Sequence, residues 1–286
     1  MPNPEVLKVI CFVPPAIQVI ADRRGLLKAR GIETQVSLTA SSDEQFRALS
    51  ELRCDAAVTA MDNVIGWNRR VGGGDFLIVA QVETTTPLSV FARSELTSLS
   101  ELIDRNILVD STENGFVVVL RAMLADAGVD VRANRIIAAG GVKERFEKLL
   151  SGQGDAALLG PPYDGLALGA GLRRLASANE LYPALPGQGI IIRRSALTRR
   201  QTVIANWLQA LEEGRIQCRA DSARAQADMM ATGFAQPGAQ ALVAGVGPTL
   251  RPDRPGIELL LSLRTRAGFP GGDVRFEELV DSRLVP

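Results

Sequence analysis

The chain has 286 residues, 32 Lys and Arg against 32 Asp and Glu, no His and three Cys. Its length is that of one large domain or two medium ones with a full core, and its charge balance supplies no field to draw in nucleic acid or anionic lipid. Without His, Ser-His-Asp and Cys-His catalysis and helical His-based zinc sites are excluded, and the scattered Cys11, Cys54 and Cys218 build neither a metal site nor a disulfide framework.

Only Lys8 precedes the apolar run from Val9 to Ala16, and Pro14-Pro15 break that run short of a signal core. No apolar stretch approaches the ~20 residues that span a bilayer. No membrane insertion is expected. With Met1 as the natural start the chain is expected in the cytoplasm; a leader removed ahead of Met1 would place it in the periplasm.

Strand-like and helix-like segments alternate from the start. Val6 to Phe12 is β-rich, Ile17 to Ala29 has helical spacing and stops at Gly31, and Ile32 to Leu38 alternates apolar and polar residues. Ser41-Ser42-Asp43 caps an amphipathic Glu44 to Leu52, and Asp55 to Thr59 and Phe76 to Val82 read as strands, the second after a Gly72-Gly73-Gly74 turn. A second cycle repeats this grammar: strand Asn106 to Val109, helix Gly115 to Ala127, strand Arg135 to Ala138, helix Val142 to Leu150, then strands Asp155 to Leu159 and Leu172 to Ala176. After a strand at Gly189 to Arg193, helices dominate over Thr198 to Arg219, Ser222 to Thr232, Pro237 to Val243 and Pro255 to Ala267.

This βαβα order predicts two mainly parallel sheets flanked by helices. Asp55-Ala56-Ala57-Val58 and Asp155-Ala156-Ala157-Leu158 stand 100 residues apart, which suggests two related units. The expected division is a discontinuous first lobe of residues 1–88 and 190–286 and a second lobe of 89–189, with the ligand in the cleft between them.

Nucleotide motifs are lacking. Gly169-Ala170-Gly171 has Arg174 at the third glycine position of a dinucleotide fingerprint, and neither a Gly-Lys-Ser/Thr nor a Gly-x-Ser-x-Gly sequence occurs. No cofactor and no metal are expected.

The run Lys8 to Leu38, with its Pro-containing loop, Arg24-Gly25-Leu26-Leu27 and Gly31-Ile32-Glu33, resembles the N-terminal pattern of the type II periplasmic-binding-protein-like family, in particular its sulfonate, nitrate and taurine receptors and thiamine-pyrimidine proteins. Cys54-Asp55-Ala56-Ala57, Thr97 to Leu102 and Gly152-Gln153-Gly154-Asp155 match later landmarks of the same pattern. The resemblance covers about the first 195 residues. It implies an α/β, two-lobed fold with an interlobe cleft and hinge closure. Thiamine-pyrimidine synthesis depends on a histidine that this chain lacks. Cys11-Phe12-Val13-Pro14-Pro15-Ala16 resembles the nucleophile loop of the 2'-hydroxybiphenyl-2-sulfinate desulfinases, whose catalytic-site histidine also has no counterpart here.

Loops after strand ends are expected to line the cleft. From the first lobe these carry Cys11, Phe12, Pro14, Ser41 and Ser42, then Thr59, Asp62 and Asn63. The Glu83-Thr84-Thr85-Thr86 run sits where the chain nears its crossing, with Thr84 and Thr85 as contacts. From the second lobe come Ser111, Thr112, Asn114 and Phe116, then Gly140, Gly141, Pro161 and Tyr163. Ser111-Thr112 precede a helix, where free N–H groups favour an anion, and the other reading is a plain N-cap. Asp62 is a ligand contact or a helix cap, Phe116 a contact or core, and Cys11 a nucleophile or strand-end packing.

Two functions follow. One is a solute-binding protein that closes over a small, anionic and partly apolar organic molecule, with an ABC permease as partner if it is exported. The other is a leaderless cytoplasmic enzyme on the same fold, of desulfinase, lyase or hydrolase type, with Cys11 as nucleophile.

Overall fold

The computed structural model describes residues 3–70, 74–130 and 135–286. The Gly72-Gly73 part of the expected turn lies outside the described residues. In chain order the first unit is β1 (Glu5–Cys11), α1 (Ala16–Arg23), β2 (Ile32–Leu38), α2 (Ser42–Ser50), β3 (Ala56–Ala60), α3 (Asn63–Trp67) and β4 (Phe76–Gln81). The second is β5 (Ser89–Ala92), β6 (Asn106–Val109), α4 (Gly115–Asp126), β7 (Arg135–Ala138), α5 (Val142–Leu150), β8 (Ala156–Leu159), α6 (Tyr163–Gly169), β9 (Arg173–Ser177) and α7 (Ala178–Leu181). The chain returns through β10 (Gln188–Arg193) to α8 (Arg194–Arg199), α9 (Gln201–Ala220), α10 (Ser222–Met230), α11 (Gln236–Ala244), α12 (Arg254–Arg266) and α13 (Phe276–Leu279).

Among the described residues there are two five-stranded sheets, ordered β2-β1-β3-β10-β4 and β7-β6-β8-β5-β9. β1 pairs parallel with β2 and β3, and β6 pairs parallel with β7 and β8. In each sheet one strand is reversed. β10 runs antiparallel between β3 and β4, and β5 runs antiparallel between β8 and β9. These are the strands by which the chain enters each sheet after crossing from the other, over residues 82–88 and 182–187. The fold is α/β and two-lobed, with mainly parallel strands and helices on the sheet faces.

The 100-residue echo has a physical basis. Asp55 Oδ2 accepts the Lys8 N–H at 2.8 Å, while its own N–H donates to the Lys8 carbonyl; Asp155 Oδ2 accepts the Asn106 N–H at 2.9 Å and repeats the return bond. Each aspartate thus extends its sheet by one pairing at the strand's start and is balanced by an arginine, Arg200 at 2.7 Å and Arg93 at 3.1 Å. The helices repeat the device at the same spacing. Buried Gln45 of α2 donates Nε2 to the Val58 carbonyl at 2.9 Å, and buried Arg145 of α5 donates Nε to the Leu158 carbonyl at 3.0 Å. Each anchors a helix to its central strand through a carbonyl; the neutral Gln45 bond contributes about 0.5–1.5 kcal/mol and the charge-assisted Arg145 bond about 1.5–3 kcal/mol.

Three apolar clusters hold the layers. One packs α1 and α9 on the outer face of the first sheet, centred on Ile17, Ile20, Trp207 and Leu208. A smaller one joins α5 and α6 to the second sheet through Leu108, Leu149 and Ala167. The largest is shared by both lobes: Met61, Val64 and Ile65 of the first lie in one cluster with Val117 and Leu120 of α4 and Leu260 and Leu263 of α12. α12 therefore packs on α4 of the second unit.

Candidate functional site

Carboxyl ends of strands from both sheets meet face to face. α4 begins at Gly115, whose N–H donates to Asn63 Oδ1 at 2.8 Å. Asn63 in turn donates Nδ2 to Thr59 Oγ1 at 2.8 Å. A Cβ on Gly115 would lie 2.8 Å from the Cβ of Asp62 and 3.1 Å from that of Ala60, so only glycine permits this approach. At the opposite end of the seam Gly141 faces Ala40, its virtual Cβ 3.6 Å from that methyl group. The lobes are closed on each other here.

Asp62 is fully buried in this seam. Its Oδ2 is 2.5 Å from Arg264 Nη1 of α12, and Arg264 is buried as well, its Nε donating to the Pro270 carbonyl at 3.0 Å. Desolvation pushes the Asp62 carboxyl up to about 6 against the pull of the guanidinium, and Oδ1 has no hydrogen-bond partner. Asp62 thus serves as the anchor for α12 rather than as a helix cap; Asn63 opens α3 behind it.

The turn before α4 is likewise committed within the chain. The Asp110 carboxylate accepts the Ser111 N–H and a bond from Asn114 Nδ2, and it faces Arg145 at 3.7 Å. Burial raises the Asp110 carboxyl. Asn114 Oδ1 accepts the Val117 N–H at 2.9 Å as the N-cap. The N–H groups of Ser111, Gly115 and Val117 at this helix start are engaged by Asp110, Asn63 and Asn114. Ser111 is buried and Thr112 is exposed.

The other expected contacts are dispersed. Ser41 caps α2 by accepting the Glu44 N–H, and Ser42 is buried beneath that turn. Phe12 and Pro14 are half-buried, and Phe116 packs on the shared core. Tyr163 stacks on Phe146 with ring centroids 5.5 Å apart, while Gly140, at φ +97°, passes the chain to α5. Thr84 is exposed and bonds through its backbone to Gly187 and Gly245.

Cys11 ends β1 with its side chain in the cluster under α1 and α9, fully buried. Desolvation pushes its thiol up to about 12. Iodoacetamide at pH 7.5 should alkylate it on the order of a hundredfold or more slower than a model thiol. Peptide mass spectrometry of the folded protein measures this, and labelling at the model rate would contradict the placement.

A groove of about 250 Å³ opens where the two crossings run side by side. It brings together Thr85 and Pro161 from the expected set. Val13, Glu83 and Gln188 join them from the strand-end loops and crossings, and Phe234, Ala241 and Leu242 close it from the α11 region. Glu83 Oε2 accepts Thr86 Oγ1 at 3.0 Å and the Gln188 N–H at 3.5 Å, and Oε1 accepts Gln188 Nε2 at 3.1 Å. Desolvation raises the Glu83 carboxyl, and the neutral donors lower it only in part. Sequence reading placed Glu83 at the crossing but missed Gln188 and α11; no local pattern tells where a C-terminal helix docks.

Fold and cleft define the class: a two-lobed, binding-protein-like α/β chain. It belongs to the NMT1/THI5-like family, whose model matches residues 16–225. No curated protein matches the chain. Among solved structures it is similar to the ligand-binding component of an ABC-type import system from Staphylococcus aureus with zinc bound (13% identity, TM-score 0.80, covering 98% of each chain). It is also similar to the alkanesulfonate-binding protein SsuA from Xanthomonas axonopodis pv. citri bound to MOPS (18% identity, TM-score 0.73, 100% of this chain and 98% of that one). A third likeness is to a mutant of the desulfurization enzyme DSZB in complex with biphenyl-2-sulfinic acid (14% identity, TM-score 0.67, 98% and 97%). Identities this low establish the shared fold. Among the described residues, no group of His, Cys, Asp and Glu is able to hold a metal ion and no helix is long and apolar enough to cross a membrane.

Proposed function

We propose that the chain is a solute-binding protein whose two lobes, residues 1–88 with 190–286 and residues 89–189, close over a small, partly apolar organic molecule. The observation that carries this reading is the groove itself. It lies at both crossings, touches loops of both sheets and is walled mainly by apolar side chains with a few convergent polar groups, as binding clefts are. The names of the Staphylococcus and Xanthomonas proteins support the same reading. Where the chain is exported, its location on this reading is the periplasm and its partner an ABC permease. The catalytic alternative on Cys11 has less support, because that thiol is buried away from the groove with its pKa raised.

A panel of sulfonates, carboxylates, pyrimidines and organic amines, tested by thermal unfolding of the full chain, checks the proposal. A solute present at a hundred times its Kd adds about 2.7 kcal/mol of stability. For a domain of this size that is a rise in Tm of roughly 5–10 °C. A flat response across every class would overturn the reading.

A further inference from the structure

Glu83 is the only ionisable side chain lining the groove among the described residues. Its three hydrogen-bond donors, the Thr86 hydroxyl and the main-chain and side-chain amides of Gln188, are all neutral. The backbone that carries the carboxylate is also held in place. Gln81 Nε2 donates to the Glu83 and Thr84 carbonyls at 2.8 and 3.1 Å. Gly187 packs so closely that a Cβ there would fall 2.6 Å from both the Cβ and the carbonyl oxygen of Glu83. A rigid carboxylate facing apolar walls such as Val13, Pro162, Phe234 and Leu242 lacks a counter-charge, and an uncompensated charge at a dry surface is costly. A ligand that brings a cation removes that cost; an oxyanion meets the carboxylate's charge and finds no arginine or lysine in the lining.

We propose that Glu83 makes the groove selective for organic cations: molecules with a protonated amino group that pairs with the carboxylate and a compact apolar body that fills the space between Val13, Phe234 and Leu242. This rests on the solute-binding reading and specifies its ligand class, in place of the anion expected from Ser111-Thr112. Because the Glu83–Gln188 bonds join the first crossing to the start of β10, where the second crossing ends, a cation seated on them ties the two connections together and strengthens closure.

The test is calorimetric titration of the full chain at pH 7.5 with hexylammonium and benzylammonium against hexanoate and hexanesulfonate. The ammonium ions are expected to bind at least tenfold more tightly than the matched anions, and Glu83→Gln to lose at least tenfold in ammonium affinity while no longer repelling the anions. Leu242→Trp, which narrows the groove from the α11 side and leaves residue 83 unchanged, is expected to abolish ammonium binding and serves if Glu83→Gln fails to fold. Anions that bind as well as ammonium ions, or ammonium affinity unchanged in either variant, overturn the cation proposal while leaving solute binding intact. Silence of all four probes, together with a flat response in the wider panel, overturns both.

Discussion

Arg264→Met is expected to destabilise the protein by about 3–5 kcal/mol, because it strands the fully buried Asp62 carboxylate without its counter-charge. Removing one partner of such a pair costs far more than removing both. The double variant Asp62→Leu with Arg264→Met should therefore recover most of the loss, since the site is walled by the shared apolar cluster that holds Met61, Ile65 and Leu263. Urea unfolding of the wild type, both single variants and the double variant measures this; additive single losses would show that the two groups do not act as a pair. The same carboxyl sets a pH dependence. Its folded pKa, about 6, lies above the ordinary 3.8, so the native state holds the proton more tightly than the unfolded chain. Its contribution to stability is then fully present below about pH 4 and falls as pH rises towards 6, by on the order of 3 kcal/mol. Glu83 and Asp110, also raised by burial, act with the same sign. The difference between wild type and Asp62→Asn at pH 4.5 and pH 7 isolates the Asp62 part.

Much of this architecture is legible in the residues. Four segments, Ile32–Leu38, Asn106–Val109, Arg135–Ala138 and Val142–Leu150, have the bounds that their apolar spacing predicts. The echo between Asp55 and Asp155 reports a real structural repeat, because a carboxylate at that point can accept the N–H at the start of the neighbouring strand in either sheet. What escaped was short or non-local. β5 is four residues of Ser-Val-Phe-Ala leading out of a crossing, too brief for alternation to show, and α7 spans a single turn. The rule that ligand-facing loops follow strand ends led to Asp62, Asn63 and Asn114, and Asp62 and Asn63 do meet the start of α4. Their polar atoms are spent within the chain, though, Asp62 on Arg264, 202 residues along, Asn63 on Gly115, and Asn114 on the cap of its own helix. The helical tail carried no register against the rest, so neither that anchor nor the α11 wall of the groove was visible from spacing.

Gly115→Val is expected to wedge the lobes apart. A β-carbon at this position would sit 2.8 Å from Asp62 Cβ and 3.1 Å from Ala60 Cβ, well inside contact distance, and neither neighbour is a flexible chain end that could swing away. Ala60 ends β3, and Asp62, in the turn that follows it, is held by Arg264. Overpacking of this kind costs about 1–3 kcal/mol where the structure must absorb it. Here a cheaper response exists: the two connections at residues 82–88 and 182–187 can rotate, breaking the Gly115–Asn63 bond and separating the surfaces. The strain is thus expected to appear as a shifted equilibrium between closed and open forms more than as global unfolding. Apparent solute affinity falls in proportion to the closed fraction, so a variant that is closed only a tenth of the time binds about tenfold more weakly. Small-angle scattering should show a larger radius of gyration for the ligand-free variant, and titration with whichever solute the panel identifies should show the weaker binding. Gly115→Ala should fall between the two forms, because its single methyl group makes the same clash with less bulk. Since Gly115 lies outside the groove lining, a loss of affinity without a change of radius would trace to local damage at α4, and unchanged values of both would mean that the seam yields without opening the lobes.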